Sequence, residues 1–306
     1  MAEMKKPVDP LLKGELYALM GQTQETIGNW KEALKWYNRA VAYFEDIDYA
    51  KPGNAGERYY YAMCLISYSD LQYSLGMNTA EVAESYGKAV DVFYSWLSYA
   101  DRNAGKDKAD AARLLYGNAR LAFVLANMST LMREFSTAVK ECEEGIGILR
   151  SDVFGQNLER SMEYGQILAI MADIYERASN REQALERFKE AREVIEKVSG
   201  KNSVHYAAIL GRIGGVYYTL NDLATASEYF MESLGILKKL GFTAHPQYAV
   251  SLNGMGMVLL NLGLWKEADE FLQLAYRICC EACGQESFMA AVCKFTSVYS
   301  TFGQGN

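Results

Sequence analysis

A recurrence at 42 residues constrains this chain more than any local propensity does. Ala172, Gly214 and Gly256 are spaced by 42, and each is followed at plus 12, plus 16 and plus 19 by matching residue classes. These are Ala184, Phe188 and Ala191; Ala226, Phe230 and Ser233; and Ala268, Leu272 and Ala275. The same offsets from Gly21 find Ala33, Tyr37 and Ala40, and from Ala126 they find Ala138, Cys142 and Gly145. A weaker copy ends in Val82, Tyr86 and Ala89, which makes six. Self-similarity at a fixed period of this length is the mark of stacked supersecondary units.

The repeated residues have a steric meaning. A small residue in the middle of one helix and another near the start of the next let two antiparallel helices approach closely. Glycine inside a helix costs about 1 kcal/mol relative to alanine, so Gly21, Gly214 and Gly256 require a compensating close contact. The large residue four positions after the second small one is expected to fill the gap between neighbouring hairpins. A lone hairpin leaves an apolar face in water, and stacking covers it.

Half of the residues are apolar, 23% are charged and four are proline, a composition that suits a helix-rich fold with a sizeable core. The net charge is −7, and lysine and arginine are scattered among acids without a basic block. Nucleic acid is therefore not an expected partner. The start of the chain carries Glu3, Lys5, Lys6 and Asp9, and no later stretch approaches a membrane-spanning apolar run. A cytoplasmic location without membrane insertion is the expectation. The six cysteines do not form the evenly spread framework of a secreted disulfide fold.

Helix punctuation follows the same register. Asn29 with Glu32, Asn78 with Glu81, and Asn180 with Gln183 predict capped starts of second helices, and Asp9 before Pro10 predicts the start of the first. Turns between hairpins are expected at 51–57, 101–107, 151–157, 199–203 and 241–246. The expected organisation is a single array over 1–306: irregular hairpins over 10–150, regular 42-residue repeats over 157–284, and a capping helix over 286–302.

These residues are the ones that carry tetratricopeptide repeats, and the wording of the last 120 or so resembles the kinesin light chain subgroup. The segments concerned are His245-Pro246, Leu252 to Gly256, Trp265-Lys266-Glu267-Ala268-Asp269, Ala275 to Ile278, and Gly284. The resemblance implies an all-α fold, a right-handed superhelical solenoid of about six hairpins with a C-terminal capping helix. It also implies a protein or peptide ligand. Kinesin light chain repeats commonly use two adjacent asparagines to hold a cargo peptide backbone. Here Asn253 matches the first, Gly254 stands at the second, and Gly211 and Arg212 replace both in the preceding repeat.

In such a solenoid the first helices line the concave surface, which projects Phe123, Asn127, Thr130, Asp173, Glu176, Gly211, Gly215, Tyr218, Thr219, Asn253, Met257 and Asn261 into it, with Arg212 beside Tyr218. The expected site is a groove of Asn127, Asp173, Arg212, Tyr218, Asn253, Met257 and Asn261. In it amides hold a peptide backbone while Tyr218 and Met257 meet its apolar side chains.

Other chemistry finds little footing. Cys280 and Cys283, three apart, are the pair a metal could use, but they fall on a predicted helix where cysteine is commonly buried as a small apolar group. No metal and no cofactor are expected. His205 and His245 occupy hairpin entries close to 42 apart, a repeat position and not a catalytic pairing. The tyrosine-rich runs Tyr59 to Tyr73 and Tyr86 to Tyr99 are expected to pack between helices, with an exposed aromatic surface for self-association or a dedicated protein partner as the alternative. The expectation is a non-catalytic adaptor or scaffold, with a peptide-gated regulator and a structural subunit of a larger assembly as alternatives.

Overall fold

The computed structural model describes residues 10–48, 57–77, 79–103, 135–150 and 159–303. Among them there are twelve α-helices and no strand: α1 (Pro10–Thr26), α2 (Trp30–Glu45), α3 (Arg58–Ser74), α4 (Thr79–Asn103), α5 (Phe135–Ile148), α6 (Met162–Arg177), α7 (Arg181–Ser199), α8 (Val204–Thr219), α9 (Leu223–Lys239), α10 (Pro246–Asn261), α11 (Trp265–Cys283) and α12 (Phe288–Gly303). None of the described helices is long and apolar enough to cross a membrane. The chain divides into two compact units, residues 1–74 with 78–117, and residues 75–77 with 118–306.

In the first unit, α1 pairs with α2 and α3 with α4. The predicted small residues explain the close approach: Ala33 and Ala40 are fully buried, and a Cβ on Gly21 would meet the Tyr37 ring at 2.8 Å. The second hairpin is filled by aromatic rings, with Tyr59 and Phe93 flanking Trp96 at centroid distances of 5.0 and 5.4 Å. Tyr59, Tyr61, Tyr86, Phe93 and Trp96 are all buried, so the dense aromatic run is mostly core. Of the tyrosines expected as a surface, Tyr73 and Tyr94 are exposed. Helix α4 continues through Asn103, so the turn expected from 101 is still helical there.

In the second unit, α6 with α7, α8 with α9, and α10 with α11 form three hairpins; α5 precedes them, and α12 packs on α11. Ala138, Cys142 and Gly145 on α5 are buried as a second helix of the repeat should be, whereas Ala126 lies outside the described residues. Phe230 shows how the hairpins interlock. A Cβ on Gly214 of its own hairpin would meet the ring at 3.1 Å, and one on Gly254 of the next hairpin would overlap it. Gly256 stands in the same relation to Leu272, at 2.5 Å.

Local chemistry sets the hairpin geometry at both ends of each first helix. Each is left through a left-handed residue, Ser179 (φ 62°), Asn221 (φ 61°) or Gly263 (φ 74°). The next N–H then reaches back to close the turn: Asn180 to the Tyr175 carbonyl, Asp222 to Tyr217 and Leu264 to Leu259, at 2.9, 3.0 and 3.0 Å. The entries repeat as regularly. Ser161, Ser203 and Ser287 cap α6, α8 and α12, accepting from the N–H groups of Tyr164, Tyr206 and Ala290 at 3.1, 3.2 and 3.2 Å. His245 occupies the same position before α10, its Nδ1 accepting from Gln247 N–H at 3.0 Å. The series 161, 203, 245, 287 keeps the 42-residue step, so His245 is the counterpart of Ser203 and not of His205.

The second-helix caps follow prediction unevenly. Asn180 Oδ1 accepts from Gln183 N–H at 3.4 Å. Asn29 makes no cap bond; its amide instead donates to Gln24 Oε1 at 3.0 Å, back across the turn. Asn78 lies outside the described residues.

Candidate ligand-binding face on the first helices

The first helices of the second unit are joined along one face by a ladder of side-chain bonds between successive repeats. Arg212 on α8 reaches Asp173 Oδ2 on α6 at 2.5 Å. Asn261 on α10 donates from Nδ2 to the Tyr218 hydroxyl on α8 at 2.7 Å and to its own helix at the Met257 carbonyl at 3.1 Å. Thr296 on α12 donates to Asn253 Oδ1 on α10 at 2.5 Å, and the Asn253 amide lies 3.7 Å from the Met257 sulfur. Six of the seven residues expected in the groove therefore join this ladder or touch it. The seventh, Asn127, lies outside the described residues.

Two of the bonds span 43 residues, one more than the repeat. In these two pairs a residue on one first helix meets the position just past its equivalent on the next. Thr296 and the Arg181 Nε bond to Thr219 Oγ1 at 3.3 Å were not anticipated as cross-repeat contacts.

Charge is concentrated at the α6 end. Burial raises the Asp173 carboxyl above its ordinary value, and the Arg212 and Arg177 charges only partly offset it. Burial also raises Glu176; Asp173 adds to the effect, while Arg212 and Arg181 oppose it. Towards α10 the face becomes neutral, with Tyr218, Met257 and the two asparagines.

The glycines divide into two kinds. Gly211, projected into the groove, is buried: a Cβ there would touch Gln247 and Ser251 of α10 at 3.4 Å, because α10 packs over that side of α8. Gly254, at the second asparagine position of the kinesin light chain pattern, is taken up by the Phe230 ring. Gly215 differs from both, since a Cβ there would meet nothing within 4 Å. It leaves bare backbone on α8, one turn from Arg212 and Tyr218.

The cysteines fall in different surroundings. Cys283 is buried, with its Sγ 3.9 Å from the Met289 sulfur, while Cys280 is partly exposed beside Tyr276, Arg277 and Glu281. Cys279 and Cys293 place their sulfurs 3.6 Å apart in the core between α11 and α12. Among the described residues no group of three or more His, Cys, Asp or Glu side chains is placed to hold a metal ion.

Sequence models of the tetratricopeptide repeat family match residues 164–239 and 249–288. The chain carries tetratricopeptide repeats. Solved structures share the fold at low identity. BtubC (BKLC) from P. vanneervenii is 19% identical, with a TM-score of 0.53 over 81% of this chain and 90% of that one. NprR in complex with its cognate peptide NprX is 13% identical, with a TM-score of 0.60 over 100% and 78%. A Rap protein complexed with Competence and Sporulation Factor is 13% identical, with a TM-score of 0.58 over 97% and 72%. Comparison with curated protein sequences finds no match. The tetratricopeptide hairpins account for the small-residue positions, the left-handed turns and the alignment of the first helices.

Proposed function

We propose that the protein is a non-catalytic interaction module whose second unit binds a peptide segment of another protein across the first-helix face. The observation that carries this reading is the pairing of Tyr218 with Asn261 and of Asn253 with Thr296 along the first-helix face, together with the open backbone of Gly215 one turn from Tyr218. Such pairing holds amide and hydroxyl groups in fixed positions, where their remaining donors and acceptors meet a guest backbone at little entropic cost. Met257 and the Tyr218 ring supply the apolar contact, and the bare Gly215 admits a chain close to α8. Asp173 and Glu176 favour a guest whose segment near α6 is neutral or cationic. That NprR was solved with a cognate peptide supports a peptide as the kind of guest.

The test is affinity capture from the source cells with the wild type, Gly215→Phe, and the double variant Tyr218→Ala, Asn253→Ala. Gly215→Phe adds a side chain into open space and is expected to keep the fold, checked by circular dichroism and Tm. A partner recovered by the wild type and lost with both folded variants supports the groove. Equal recovery by all three contradicts it.

A further inference from the structure

The junction between α11 and α12 differs from its counterparts in the side chains that meet across it. Cys279 on α11 and Cys293 on α12 lie fourteen residues apart with their sulfurs at 3.6 Å, in a core cluster with Ala275, Ile278 and Ala290. One repeat earlier the same two positions are Leu237 and Ser251, and two repeats earlier they are Ile195 and Ile209, both in one apolar cluster. Packing at this level therefore asks for bulk and not for sulfur. Two thiols in contact add a chemistry that the isoleucine pair lacks.

The surroundings suit a covalent bond between them. Ala275 and Ala290, each one turn before a cysteine and fully buried, let the two helices run close. A disulfide needs the sulfurs to approach from 3.6 Å to about 2.0 Å, within reach of side-chain rotation and a small helix shift. Cys283 is the nearest rival, but its sulfur faces Met289 at 3.9 Å. The thiolate is the reactive form of cysteine. With Cys279 donating, the hydrogen bond holds the Cys293 thiol below its ordinary value, against the effect of burial. Val292 and Lys294, on either side of Cys293 in the chain, are exposed, so local opening of α12 brings this thiol to a small oxidant.

We infer that Cys279 and Cys293 form a reversible disulfide that locks α12 onto α11 when the protein meets a hydroperoxide. The Cys293 thiolate attacks one peroxide oxygen, the O–O bond breaks, and the released hydroxide takes up a proton and leaves as water. Cys293 is then a sulfenic acid. The Cys279 thiol displaces the sulfenic oxygen: the S–S bond forms, the S–O bond breaks, and the oxygen leaves as water with the Cys279 proton. Two electrons pass from the sulfurs to the peroxide, and a thiol reductant returns both thiols by exchange. Thr296, one turn beyond Cys293, donates to Asn253 Oδ1 on α10 and lies 3.0 Å from the Cys293 carbonyl, so the lock also fixes this rung of the ladder. The inference does not depend on the face holding a peptide.

Disulfide mapping on the folded whole chain tests it. Trypsin with a glutamate-specific protease cuts the region into 278–281, 282–286 and 287–294, which in a Cys280→Ser background carry Cys279, Cys283 and Cys293 separately. After treatment with hydrogen peroxide and alkylation of the remaining thiols, 278–281 is expected to be joined to 287–294, and dithiothreitol separates them. Amide exchange in α12 is expected to slow by on the order of tenfold or more in the oxidised protein. Cys293→Ala, with its helical spectrum checked, loses that response. Peroxide that yields sulfinic or sulfonic acid without joined peptides overturns the inference, as does joining of 282–286 to 287–294 in place of the expected pair. A link that forms only after denaturation, or one that leaves α12 exchange unchanged, overturns it as well.

Discussion

The Asn261 side-chain amide donates to the Tyr218 hydroxyl at 2.7 Å, joining two first helices whose paired positions lie 43 residues apart in the chain. Both residues are partly or fully exposed, so the bond is a surface tie between repeats. A double-mutant cycle with Tyr218→Phe and Asn261→Ala, followed by urea unfolding, is expected to give a coupling of about 0.5–1 kcal/mol. A coupling indistinguishable from zero would remove this rung from the ladder.

Gly254 and Gly215 should respond oppositely to alanine. At Gly254 the added methyl overlaps the Phe230 ring, so Gly254→Ala is expected to destabilise by about 1–3 kcal/mol through overpacking. At Gly215 the methyl enters open space within a helix, so Gly215→Ala is expected to stabilise by up to about 1 kcal/mol. Paired denaturant titrations check the two signs.

Ser179 and Asn221 hold the left-handed position that Gly263 fills in the third repeat. Relief of the side-chain clash in that region predicts that Ser179→Gly raises stability by about 1 kcal/mol. Asn221→Gly should gain less, because asparagine tolerates the conformation better. Tm measurements on the two single variants test this order.

His245 brings pH dependence to a position held by serine in three other repeats. Burial lowers its pKa from 6.5 to about 4, and the neighbouring His205 charge adds to the effect. The folded state therefore favours the neutral ring, which is also the form whose Nδ1 accepts from Gln247 N–H. A base with a depressed folded pKa contributes its stability above pH 6.5 and loses it as pH falls from 6.5 to about 4, by at most on the order of 3 kcal/mol. His245→Ser retains a cap and is expected to flatten the stability profile across that window.

Much of this architecture is legible in the sequence because it depends on residue size at fixed intervals. Ala172, Gly214 and Gly256 mark the close contacts, and Phe188 and Phe230 mark the fillers, since only those sizes fit. The caps at Ser161, Ser203, His245 and Ser287 lie on the same 42-residue step, each just before a first helix or the final helix. Asn29 looks like a cap and is not; its amide donates to Gln24 Oε1 across the turn. The site is less legible than the fold. Asn253 and Tyr218 are identifiable from their helical register, but their bonds to Thr296 and Asn261 lie one residue off the 42-residue step. The aromatic runs pack between helices as expected, but ring density alone does not distinguish Trp96 in the core from Tyr94 on the surface.

The most direct measurement for the binding face places a photo-cross-linking amino acid at one position at a time and irradiates the protein with its cellular partners. Met257 lies on the first-helix face, and Glu186 is exposed on the second helix α7. A cross-link to one partner from Met257, absent from Glu186 and suppressed by Gly215→Phe, is the predicted result. Cross-linking from Glu186 but not from Met257 would contradict the account.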